Sequence, residues 1–75
     1  MTHEYTMDLS TINYEIKVSP GSNYGYFEHH MLGDERGGGL WFSGGELEDY
    51  DGVSCLPREV AAALRVHYIV GPEFD

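Results

Sequence analysis

Four carboxylates fall within six residues in Glu46-Leu47-Glu48-Asp49-Tyr50-Asp51, the densest charge in the chain. On a strand, alternate side chains emerge on one face about 6.8 Å apart, and a neighbouring strand lies about 4.8 Å away. Glu46 and Glu48 would then form a short row on one face, with Asp49 opposite and Asp51 in the following turn. Glu28 and Glu15, on other strands, would widen that surface if the register allows, and Asp34 and Glu35 add acids in a loop. Such a lattice would approach the charge density of a nucleic-acid backbone, which carries one charge per roughly 1.7 Å of duplex axis. Two readings stay open. The run is either a mimic of phosphates that docks on a basic groove, or a solvated strand whose charges prevent aggregation.

Other chemistries fit less well. Counted from Asp49, a calcium loop needs an oxygen ligand at its fifth position, glycine at the sixth and glutamate at the twelfth. The chain offers Val53, Ser54 and Val60 there. His29 and His30 are adjacent, so on a strand they point to opposite faces and cannot readily chelate one ion. The paired ligand spacings of zinc sites are absent. Cys55 precedes a helix start, where a thiolate is favoured, but no signature places a base beside it. With Val53 and Leu56 nearby it reads as a small buried hydrophobe. Gly37-Gly38-Gly39 lacks the spacing of a dinucleotide fingerprint and the lysine of a phosphate loop. Glu28, Asp34 and Glu35 could supply a carboxylate pair for glycoside hydrolysis, yet so small a domain has little volume for the sugar cleft. The expectation is a protein that is not an enzyme and needs no cofactor or metal.

Composition points the same way. Thirteen Asp and Glu against four Lys and Arg give a formal charge of −9, falling to −5 if all four histidines protonate. Direct contact with nucleic acid or an anionic membrane is disfavoured, since phosphate binding needs basic residues. A basic protein surface is the natural complement, although acidity can also serve solubility alone. The same repulsion favours a monomer. The chain opens Met1-Thr2-His3-Glu4 without a basic, apolar leader, and a single cysteine precludes an internal disulfide. A reducing cytoplasm is the expected compartment.

Seventy-five residues make a single domain, residues 1–75, whose 41% hydrophobic content supports a folded core. Apolar Tyr5, Met7 and Leu9 alternate with polar residues, and Ile12, Tyr14, Ile16 and Val18 do so again, predicting two half-buried strands. Turn chemistry at 19–23 leads to an aromatic strand over 24–32. The 33–39 segment is too glycine-rich for an element interior and reads as a loop. Leu40 to Ser43 is a short strand, Gly44-Gly45 a two-residue hairpin turn, and Glu46 to Tyr50 the return strand. Pro57 suits the first position of a helix, Glu59 its positive end, and Arg65 and His67 its negative end. Val60, Ala63, Leu64 and His67 share one face, Ala61 and Ala62 add propensity, and Gly71-Pro72 is the stop. The fold class is therefore α+β: an antiparallel sheet of four to five strands with one C-terminal helix packed on one face. Ten aromatic residues exceed what one helix covers, so one or two tyrosines should sit exposed among the acids, a useful interface pairing.

Four stretches resemble small uncharacterised proteins of bacteria and their phages: Tyr24-Gly25-Tyr26-Phe27-Glu28-His29, Gly38-Gly39-Leu40-Trp41-Phe42, Leu47-Glu48-Asp49-Tyr50-Asp51-Gly52-Val53 and Leu56-Pro57-Arg58-Glu59-Val60. In size, acidity and lack of catalytic residues the chain also resembles anti-CRISPR proteins. Several of those bind the crRNA-guided surveillance complex of type I systems and block target DNA, some by mimicking it. The resemblance implies an inhibitor in a bacterial host cell that occupies a DNA-recognition site. The candidate contacts, taken from the charge pattern, are Glu28, Asp34, Glu35, Glu46, Glu48, Asp49 and Asp51. The alternative is a small acidic regulatory module, antitoxin-like or an accessory subunit, acting through its aromatic face.

Overall fold

The computed structural model describes residues 6–19, 23–31 and 37–74. Its five-stranded antiparallel sheet runs in chain order: β1 (Met7–Asp8), β2 (Tyr14–Ser19), β3 (Tyr24–His29), β4 (Gly37–Ser43) and β5 (Glu46–Tyr50). One helix, α1 (Arg58–Leu64), and a 3₁₀ turn at Pro72–Phe74 complete the α+β fold. Each strand neighbours the next in sequence, so the meander needs only short connections.

Alternation sorts the side chains as expected. Ile16, Val18, Phe27, Leu40, Phe42 and Leu47 turn to one face and are buried there beneath Leu56, Val60, Ala61, Leu64 and Val70. Tyr68 stacks on Phe42 with ring centroids 4.3 Å apart, extending the lid beyond α1. Ala61, counted from sequence as a propensity residue, is fully buried, whereas His67 is exposed in the turn after the helix.

The helix differs from its predicted frame at both ends. Pro57 is its N-cap, in extended conformation (φ −60°, ψ 139°), and its carbonyl accepts the Ala61 N–H at 3.0 Å. The helical repeat ends at Leu64, well before Gly71-Pro72, because the chain is recruited elsewhere. Ile69 lies parallel to Glu46, donating its N–H to the Gly45 carbonyl (2.9 Å) and accepting that of Leu47 (2.8 Å). Arg65 is thus a C-cap residue and reaches the Val70 carbonyl at 3.4 Å.

Two strand boundaries also move. Ile12 is not in β2; it is 85% exposed. The Thr11 hydroxyl accepts the N–H groups of Asn13 (3.2 Å) and Tyr14 (3.0 Å), and this local turn outcompetes a continued strand. The aromatic strand ends at His29 rather than residue 32. The predicted 33–39 loop is corrected at its end: Gly37, Gly38 and Gly39 belong to β4 and pair with Glu28, Phe27 and Tyr26. Its first four residues lie outside the described ones.

Close backbone approach explains the glycines in β4. Asp51 and Gly52 cross over Gly37 and Gly38 so tightly that a Cβ on Gly38 would meet the Asp51 carbonyl oxygen. A Cβ on Gly52, whose φ is +90°, would meet the Gly37 carbonyl oxygen. The Gly44-Gly45 turn has positive φ at both residues (59° and 83°), as a type I′ hairpin requires.

Candidate functional site

The face of the sheet away from α1 carries the charge. Glu15 stands directly opposite Glu28, Lys17 opposite Tyr26 and Tyr24 opposite Trp41, with Trp41 in turn opposite Asp49. Alternation places all of them, with Asp8, on the outer face. Tyr24, Tyr26 and Trp41 remain 43%, 38% and 39% exposed, and the Tyr24 and Trp41 rings meet edge to face at 5.6 Å. Two tyrosines sit exposed among the acids as expected, and Trp41 joins them. Acids flank an aromatic centre.

The register rearranges the 46–51 run. A bulge in the β4–β5 pairing sets Phe42 opposite Leu47 and Trp41 opposite Asp49, with Glu48 the extra residue between. Glu46, opposite Ser43, and Asp49 therefore share the outer face. The expected row of Glu46 and Glu48 with Asp49 opposite is corrected: one inserted residue shifts the alternation by a step.

Asp51 does structural work. Its Oδ1 accepts the Gly39 N–H at 2.7 Å while its own N–H reaches the Gly39 carbonyl at 3.2 Å. This fixes the glycine crossing, while Asp51 itself stays exposed. Glu28, Glu46 and Glu48 are exposed, and their side chains make no hydrogen bond or ion pair among the described residues. Asp34 and Glu35 lie outside the described residues.

Lys17 forms an ion pair with Asp8 at 2.9 Å. Hydrogen bonds from Lys17 and then Ser10 hold the Asp8 carboxyl far below the usual carboxylate range, and the same contact raises the Lys17 ammonium. The Tyr26 hydroxyl donates to Glu15 Oε2 at 3.2 Å. Burial, followed by the charges of Glu15 and Glu28, lifts its pKa above the ordinary phenol value. Away from this face, Glu59 binds Asn13 through Nδ2 (2.9 Å) and the backbone N–H (3.3 Å). Its pKa is lowered, chiefly by the Asn13 side chain.

Cys55 is exposed, correcting the expected buried hydrophobe: Leu56, next in sequence, fills the core instead. His29 packs edge-on against Tyr14 at 5.0 Å, and its Nδ1 accepts the Met31 N–H. Among the described residues no three His, Cys, Asp or Glu side chains gather as metal ligands. No helix among them is long and apolar enough to cross a membrane.

Sequence reasoning missed the grouping of Trp41 with Tyr24 and Tyr26. The signal was present in Leu40-Trp41-Phe42, where period two sets Trp41 against its apolar neighbours. Comparison with protein-family models, curated proteins and solved structures finds no match to the chain.

Proposed function

We propose that this protein is a non-catalytic binding domain that docks its outer sheet face on a basic protein surface of the kind that holds nucleic acid. The observation that carries this reading is the exposed trio Tyr24, Tyr26 and Trp41 set among Glu15, Glu28, Glu46 and Asp49 on the face away from the helix. Aromatic rings supply contact area at low entropy cost and stack on arginine, while the acids steer and orient the encounter. In its particular form the proposal is an anti-CRISPR-like inhibitor that blocks the DNA-recognition site of a type I surveillance complex by occupying it in place of DNA.

The test is binding to such a complex in competition with target duplex. Affinity should fall steeply as salt rises, and a Glu46→Lys, Asp49→Lys double variant should lose about tenfold or more. Unchanged affinity across that salt range, or in the charge-reversed variant, overturns the proposal. The exposed aromatics also support a second reading, a regulatory module that pairs through them in a homodimer or hetero-complex. Salt separates a homodimer from the first reading. Two copies meeting face to face would oppose like charges, so added salt would tighten them, and sedimentation would show it.

A further inference from the structure

Between β3 and β4 the outer face holds an open groove of about 460 Å³, lined in part by Tyr24, Tyr26, Glu28 and the glycines 37–39. We infer that this groove is an arginine slot: it takes a guanidinium of the partner protein between the Tyr26 ring and the glycine backbone, with Glu28 and Glu15 as acceptors. The inference rests on the outer face being the docking surface and names the side chain that anchors there.

The groove follows the seam where β3 meets the glycines of β4. Gly39 lies opposite Tyr26 and Gly37 opposite Glu28, so β4 sets no side chain directly across from the ring or the carboxylate. A Cβ on Gly39 would lie 2.8 Å from Trp41 Cη2, which places the indole beside the same row. The hydroxyl bond to Glu15 holds the Tyr26 ring in place as one wall.

Charge decides the occupant. Glu15 and Glu28 are direct cross-strand partners, and like charges so placed destabilise a sheet. The neighbouring cation, Lys17, is engaged by Asp8. Both glutamates act on the Tyr26 phenol, so their charges converge on this ring. An entering cation relieves the repulsion, whereas a phosphate or lipid headgroup would add to it. Arginine suits the slot better than lysine because its planar fork stacks on a ring while donating to more than one carboxylate oxygen. The volume lies at the small end of ligand sites, right for one side chain rather than a folded segment.

Trp41 is the single tryptophan, so its fluorescence reports occupancy directly. The intact chain would be titrated with octa-arginine and octa-lysine peptides at low salt. Octa-arginine should bind about fivefold tighter, and Glu28→Gln or Tyr26→Leu should bring the two peptides to parity. Tyr26→Phe, which keeps the ring, should retain the preference. Glu28→Gln should melt no lower than the parent, since it removes a like-charge pair. Equal affinity for both peptides, or a preference that survives Glu28→Gln and Tyr26→Leu, overturns the slot. If the Glu46→Lys, Asp49→Lys variant then still weakens both peptides, the docking face itself stands. If neither peptide binds, slot and docking face fall together.

Discussion

The two faces of the sheet obey one alternation and reach opposite ends. Toward α1, Ile16, Val18, Phe27 and Leu40 are sealed from water. Away from it, the intervening residues are Glu15, Lys17, Tyr26, Glu28, Gly39 and Trp41, and none is covered by the helix. The inner face is chosen for volume and the outer for chemistry. Aromatics on the inner side give stability; those on the outer side remain available for contact.

The largest expected effect tests this division. Phe27→Ala should cost about 3–5 kcal/mol of stability in urea unfolding, as a large core truncation does. Trp41→Ala should cost less than Phe27→Ala, about 1–2 kcal/mol, because its ring is part-exposed against Tyr24 and Gly39. Equal losses would break the distinction. Next comes the glycine crossing at the margin of the outer face. Gly52→Ala should cost about 1–3 kcal/mol from backbone strain and the displaced Gly37 carbonyl, with a lowered melting temperature as the readout. Gly44→Ala, at a turn residue with open space around it, should cost only about 1–2 kcal/mol.

The smallest effect lies at the seam where the Asn13 turn meets α1. Glu59 has a lowered pKa in the fold, so its bond to Asn13 stabilises fully above the ordinary carboxylate value of 4.5. That contribution is lost as pH falls through the depressed value. Asp8 behaves in the same sense through Lys17. Unfolding followed from pH 7 to pH 2 should therefore be less steep in Glu59→Gln than in the parent; an unchanged acid limb would show that the Asn13 contact contributes nothing.

Most of the sheet was legible because period-two patterning is local: the 46–50 return strand and the Gly44-Gly45 turn both stand where their residues place them. What failed depended on distant partners. Gly37 to Gly39 resemble a loop until Asp51 and Gly52 are brought across them. The helix ends early because Ile69 is drawn to β5. At the candidate site, the acids were visible as a density, but the bulge at Glu48 decides which of them share a face. Glu28 and Glu15 did meet as register permitted. Asp51, though exposed, also holds the Gly39 N–H, a role that only tertiary structure reveals.

The pairing of Ile69 with Gly45 and Leu47 has a consequence for how any partner must arrive. It occupies the hydrogen-bonding side of β5 at its start, and at the opposite border β1 is only two residues long. Among the described residues, neither border offers a long run of free backbone for another chain to extend the sheet by strand addition. If the outer face docks as proposed, recognition falls to side chains met from above. Its selectivity then resides in their identity rather than in main-chain geometry that any extended peptide could match.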